Sequence, residues 1–255
     1  MIEQRTIEWH RQRLGLMTAS EISVLMKDHK EPMTEGELAE WKKLNPKSRV
    51  TTKTVPFSDA TFTYLNRKVM EHYLPINSTS EDARNAVDEY IEEHSFSNRA
   101  MDFGTFWEPT ARNKYAEMMG YEVFEVGFVP YDKYPNLAGA SPDGLIREEK
   151  GGCEIKCPYT LDKHLQHLLY ETPEELKENE EEYYWQCYMA MLVTGCEFWD
   201  FVSFNPYISK SKQLKVLRIK RDEDEINLLK ERIDLAVEYF KEQFRKIDVI
   251  KTIIK

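Results

Sequence analysis

No apolar run in the 255-residue sequence approaches the roughly 20 residues that a membrane-spanning helix requires. The first residues, Met1-Ile2-Glu3-Gln4-Arg5, lack the basic start and apolar stretch of an export signal, which points to the cytoplasm and to no membrane partner. Cysteine is scarce: Cys153, Cys157, Cys187 and Cys196 are all there are. Without export, disulfides are not expected. Their spacing suits a four-thiolate metal site poorly, and buried free thiols are the simpler expectation. Positive charge is also short. A formal net charge of −10 excludes a protein that coats nucleic acid by bulk charge, although a local basic groove can still oppose the global sign. Neither an internal repeat nor a low-complexity linker is present.

What is present is a core-forming chain, 41% hydrophobic, with two periodicities in succession. Arg5 to Lys27 reads as two short helices around a turn, the second capped by Thr18 or Ser20. Glu31 to Val55 is polar and reads as an irregular insertion with a short helix near Glu35–Leu44. Helices are expected over Thr61–Leu74, Ser80–His94 and Ala100–Met119. Gly120 closes the last of these, and Pro109 makes it either start near Trp107 or bend. The period then shortens. Strands are expected at Tyr121–Pro130, Leu137–Ala140, Leu145–Ile146, Cys153–Cys157, Trp199–Phe204 and Leu214–Ile219. The glutamate-rich run Glu171 to Glu182 reads as a solvated face or loop, followed by a helix over Glu181–Thr194. A long amphipathic helix, Asp222–Ile247, ends the pattern. The expected fold is α/β, a central mixed sheet flanked by helices. One domain of 1–255 is expected, with a helical N-terminal part to residue 99, a core over 100–220 and a C-terminal helix.

Chemistry concentrates on Ser141-Pro142-Asp143-Gly144 and Glu154-Ile155-Lys156. Residues two apart on a strand share a face, so Glu154 and Lys156 point together. A Pro-Asp-Gly turn can aim Asp143 at the same place. Two carboxylates and a lysine suit a hard divalent cation, with the Ile155 carbonyl as a further ligand. Such a cation polarises a phosphate and acidifies an attacking water, and the lysine offsets charge developing on phosphorus. Spacing alone leaves a plain turn and a solvated strand face as the alternative. Glu108, on the preceding helix, adds a third carboxylate.

Five stretches, in order, resemble the YqaJ or lambda-type phage recombination exonucleases of the PD-(D/E)XK nuclease superfamily. They are Glu8 to Gly15 with Thr18-Ala19-Ser20; Gly104 to Arg112; Ala140 to Leu145; Glu154 to Pro158; and Tyr184-Trp185-Gln186 running to Gly195. The resemblance implies a restriction-endonuclease-like core. It implies that Asp143, Glu154 and the Ile155 carbonyl hold magnesium, that Lys156 serves the attacking water, and that Glu108 supports the metal from its helix. Manganese would substitute, since oxygen ligands accept both. It implies degradation of the 5′ strand of linear duplex DNA, with Arg13, Ser20 and Ser141 on the terminal 5′-phosphate, a task that suits an arginine fork and hydroxyls. Gln186 matches the first glutamine of the family's Gln-x-Gln. Tyr188 replaces the second, which touches the phosphate in the lambda-type enzyme, and its hydroxyl is the available substitute. Also implied are a homo-oligomeric ring, most often a trimer, a single-strand annealing protein as partner, and the host-cell cytoplasm if the gene is a phage's. Two other readings stay open at this point: an endonuclease or defence-type nuclease on the same core, and a DNA-end-binding protein without catalysis. His164 and His167 are expected at the surface or along the DNA path, His10 in packing or a cap, and Tyr183, Tyr184 and Trp185 in a helix core.

Overall fold

The computed structural model describes residues 2, 4–94 and 98–254, with side chains through Asp248. The chain opens with α1 (Ile7–Arg13), β1 (Met17–Thr18) and a 3-10 helix over Ala19–Met26. There follow β2 (Asp28–Pro32), α2 (Glu35–Leu44), β3 (Thr52–Pro56), α3 (Asp59–Glu71), α4 (Glu81–His94) and α5 (Arg99–Met119). The strand-rich part holds β4 (Val123–Phe124), β5 (Val129–Pro130), β6 (Ala138–Ala140), β7 (Gly144–Ile146) and β8 (Gly151–Lys156). Next come α6 (Leu161–Leu169), α7 (Pro173–Asn179), α8 (Glu181–Thr194), β9 (Phe198–Phe204), β10 (Leu214–Lys220) and α9 (Glu223–Ile254).

The five-stranded sheet has the order β10-β9-β8-β7-β4, parallel only between β8 and β9. Its central strand is β8, which carries Glu154 and Lys156. That mixed sheet between helices is the expected α/β architecture. Its two faces bury different cores. Trp199, Phe201, Leu217 and Ile219 pack with α8, α9 and the 3-10 helix. Cys153, Ile155, Val202 and Phe204 pack with Ala111 and Tyr115 of α5. The alternation of β8 therefore hands Glu154, level with Phe201, to the α8 face and Ile155 to the α5 face. Close contact with the neighbouring strand needs Gly152, where a Cβ would lie 2.4 Å from the Trp199 ring and 2.9 Å from the Gly144 carbonyl. All four cysteines are buried and free.

Several expectations change. The insertion is not irregular: β2 and β3 pair antiparallel over Asp28–Pro32 and Thr52–Pro56, with α2 between them. Its more covered face is only half-buried and carries His29, Glu31 and Lys53 beside Val55, so the ribbon shows no apolar alternation. Tyr121–Pro130 is two short strands in different sheets, since β4 joins β7 while β5 joins β6. The second N-terminal helix is 3-10, and Thr18, its cap position, makes no side-chain cap bond; its hydroxyl donates to Glu21 instead. Pro109 neither starts nor stops α5, which begins at an Asn98 cap bonded to the Ala100 and Met101 N–H groups. Most of the glutamate run folds as α7, opened by a capping box on Thr172; it presents the expected solvated face except at Leu176 and at Glu180 just past the helix, which are buried.

Candidate active site

Past the last β7–β8 pair, Gly144↔Cys153, the Ile155 N–H would face a missing strand. The Asp143 carboxylate takes it at 2.7 Å, so the turn is clamped to β8 by the same oxygen set that could hold a cation. Glu154 is buried, and its Oε1 accepts from Lys156 Nζ at 2.7 Å. Lys156 also donates to Gln186 Oε1 at 3.2 Å and lies 4.6 Å from the Tyr183 ring centre. From the opposite face α5 brings Glu108, also buried, with Arg112 on its Oε1 at 2.7 Å and Arg5 on its Oε2.

Crowding shows in the proton affinities. Burial raises Asp143 well above the usual carboxylate range, and the Glu154 and Glu108 charges raise it further; Lys156 and the Ile155 N–H oppose them. Burial likewise raises Glu154, against the pull of Lys156. Burial alone would lower Lys156, but Glu154 and Asp143 outweigh it and its pKa rises. Lys156 is thus a fixed ammonium, a donor rather than a base. Oxygen-only donors with surplus negative charge fit a hard divalent cation. Among the described residues, no three His, Cys, Asp or Glu side chains are grouped to close a metal shell. The Asp143–Glu154 pair would therefore need the Ile155 carbonyl and water.

The phosphate candidates gather around Trp9. Its indole N–H donates to Ser141 Oγ at 3.2 Å, and the Arg13 guanidinium stacks 3.9 Å over its ring and donates to Ser20 at 3.1 Å. Burial pushes Arg13 down to about 10, still cationic at neutral pH. Trp9 lies in the Glu8–Gly15 stretch, where the sequence assigns it no role; its place one helical turn before Arg13 is the signal that could have found it.

Tyr188 is elsewhere. Its hydroxyl donates to the Lys220 carbonyl at 3.3 Å, and the ring packs on Tyr184 and Trp185. Register places Lys220 level with Gly151, five residues and so about 16 Å along the sheet from Lys156. Gln186, not its neighbour two on, reaches the site. Helical geometry explains this, because residues two apart point to different sides.

His164 and His167 are buried, not surface residues. His164 Nε2 meets the Lys212 carbonyl at 3.0 Å, which can only accept. Neutral His164 then accepts at Nδ1 from Ser203 Oγ at 2.9 Å, and Ser203 accepts from His167 Nδ1 at 2.8 Å. His167 Nε2 is left as a lone pair in the wall beside Lys156 and Lys163, without a hydrogen-bond partner among the described residues and 3.9 Å from Glu180 Oε1. Burial, then Lys163 and His164, push His167 down to about 3. A histidine depressed on folding stabilises fully above its unfolded pKa and loses that contribution as pH falls. By pH 5 the loss is about 2 kcal/mol. The melting temperature is accordingly expected to fall more steeply from pH 7.5 to 5 in the wild type than in His167→Gln; parallel slopes would refute this.

Two cavities adjoin here. One, of about 810 Å³, is lined by Trp9, Arg13 and Ser20. The other, of about 520 Å³, is lined by Glu108, Ile155 and Lys156. Arg5, Met101 and Thr105 border both.

A carboxylate turn, a Glu-x-Lys central strand and a helix carboxylate behind them define a PD-(D/E)XK-type core. Within that class, the chain belongs to the YqaJ-like viral recombinase domain family, whose sequence pattern matches residues 8–197. No curated protein sequence matches it. The chain shares its fold with the alkaline exonuclease LHK-Exo from Laribacter hongkongensis, at TM-score 0.67 and 23% identity over 98% of this chain and 100% of that one. LHK-Exo in complex with dAMP gives 0.68 and 24% over the same shares. A phage related exonuclease from Haemophilus somnus 129PT gives 0.59 and 15% over 91% and 96%. No helix among the described residues is long and apolar enough to cross a membrane.

Proposed function

We propose that the protein is a magnesium-dependent exonuclease that degrades the 5′ strand of linear duplex DNA, 5′ to 3′, leaving a 3′ single strand for phage-type recombination. The observation that carries this reading is the pair of adjoining cavities. A pocket with the Arg13 cation and the Ser20 hydroxyl suits a strand's terminal phosphate, and the cleft lined by Glu108, Ile155 and Lys156 lies next to it. Family membership and the fold shared with alkaline exonucleases support it, as does the nucleotide dAMP seen with LHK-Exo.

Asp143, Glu154 and the Ile155 carbonyl would hold the metal, with manganese as a substitute. When bound, magnesium polarises the scissile phosphate and lowers the pKa of the attacking water. Lys156, fixed as an ammonium by Glu154 and Gln186, orients that water and offsets charge developing on phosphorus. Ser141, held by Trp9, completes the grip on the 5′-phosphate begun by Arg13 and Ser20. The whole of 1–255 acts as one nuclease unit, in a homo-oligomeric ring, trimeric by family analogy, in the host cytoplasm with a single-strand annealing protein as partner.

The test is linear duplex DNA labelled at either end, with magnesium. A 5′ label should leave as mononucleotide while a 3′ label stays on a long strand, and closed circles should survive. Release from 3′ ends would overturn the proposed polarity, and cutting of circles would favour the endonuclease reading.

A further inference from the structure

Glu108 sits between two arginines that are not equivalent. Arg112 holds Oε1 from the same helix, and its side chain is 11% exposed. Arg5 holds Oε2 from a residue 103 positions away, and its side chain is 42% exposed. With both oxygens so engaged, Glu108 is withheld from any cation at Asp143 and Glu154. Of the two partners, Arg5 is the one free to leave. Its backbone occupies the left-handed region, φ 70, which a residue other than glycine rarely adopts without a reason. The turn is pinned by the neighbouring Gln4 amide, which donates to the Val126 and Pro142 carbonyls, the second adjacent to Asp143. The result is a cation suspended on the border between the two cavities.

Charge counting gives the consequence. Carboxylates Asp143, Glu154 and Glu108 face cations Lys156, Arg112 and Arg5, and Arg112 is shared with Glu125, so the metal-free site holds no surplus of positive charge. A divalent metal entering with one phosphodiester group adds a single positive charge. Withdrawal of Arg5 from Glu108 removes one.

We propose that Arg5 is an exchangeable cation: paired with Glu108 when the site is empty, and moved onto a phosphate of the strand spanning the two cavities when metal and DNA bind. This rests on the function proposed above. Arg5 is then a DNA contact that also controls access of the metal to Glu108, and its two effects have opposite signs.

The test uses Arg5→Gln and Arg5→Lys, which carry the same backbone strain as arginine. Without DNA, manganese binding followed by electron paramagnetic resonance should tighten about fivefold in Arg5→Gln, because a competing cation is gone. Binding of a 5′-phosphorylated duplex with magnesium, in a Lys156→Ala background, should weaken about tenfold. Its log–log salt slope should shallow by about 0.9, one phosphate contact. Arg5→Lys should retain the slope. Unchanged manganese affinity, or an unchanged salt slope, overturns the proposal. So does a joint fall in metal affinity, DNA affinity and melting temperature, which would make Arg5 a structural strut. If the wild type fails to cut DNA ends while manganese still tightens in Arg5→Gln, the functional reading fails and the exchange at Glu108 stands.

Discussion

Lys156→Ala is expected to lower the rate of duplex-end degradation by roughly 10²–10³-fold, the usual cost of removing one preorganised donor from a site of developing charge. The ammonium is held by Glu154 at 2.7 Å and Gln186 at 3.2 Å, and the Tyr183 ring covers it. Its raised pKa keeps it charged at alkaline pH, so activity should not decline with the titration of an ordinary lysine near 10.4. Alanine leaves no cavity in either core, so the fold should survive, with a lower melting temperature because buried Glu154 loses its ion-pair partner. The measurement is the single-turnover rate on a 5′-labelled duplex, with circular dichroism as a control for folding. Equal rates in mutant and wild type would remove the site from the chemistry and favour a DNA-end-binding protein without catalysis.

Asp143→Asn is expected to abolish metal-dependent cleavage and, at the same time, to stabilise the metal-free protein. The asparagine oxygen can still accept from Ile155, so the turn stays clamped to β8. What disappears is a buried charge crowded by Glu154 and Glu108. A carboxyl whose pKa is raised on folding contributes stability below its unfolded pKa, and that contribution is lost as pH rises through the folded value. The cost therefore grows as pH rises, and removing it should yield about 1 kcal/mol on the alkaline side, or roughly 2–4 °C in melting temperature. The gain should shrink toward pH 4. Metal affinity should drop by at least about 100-fold, since a ligand is lost rather than its support. Melting in chelator at pH 8 and pH 4, beside a manganese titration, checks all three. A mutant less stable than the wild type at pH 8 would mean that Asp143 serves the fold as well as the site.

The same tension connects these two results to Arg5. A site with three carboxylates is unstable without cations, and the metal-free protein meets that need internally, through Lys156, Arg112 and Arg5. On the proposed exchange, loading metal would replace one of them. Stability and activity then oppose each other at the same carboxylates, as at many functional sites.

Much of this was legible in the chain itself. Strand period alone places Glu154 and Lys156 on one face, and an apolar strand around them marks β8 as central. The Pro-Asp-Gly turn, the N-terminal Arg13 and Ser20, and the Gly120 helix stop are likewise local in their physics. Family motifs added roles to those positions, and the structure brings Arg13, Ser20 and Ser141 together around Trp9 and places Gln186 against Lys156. What stayed hidden lacked a local signal. The β2–β3 ribbon is polar on both sides, so it has no alternation to find. Tyr121–Pro130 has strand composition throughout, yet its two ends pair with different sheets. His164 and His167 look like surface residues until Ser203, more than 30 positions on, bridges their Nδ1 atoms. Tyr188 was attached to the phosphate by motif position, and only the packing of α8 shows that its hydroxyl belongs to Lys220.

The sequence by itself determined which candidate side chains share a face, because residues two apart on a strand or four apart on a helix do so whatever the rest of the chain does. Only the tertiary structure decided what surrounds them. Arg5 reaches Glu108 across 103 residues, and the two cavities meet at Arg5, Met101 and Thr105 from two distant segments. Charge balance in a buried site is a property of space rather than of spacing, so it appears only once the chain has closed.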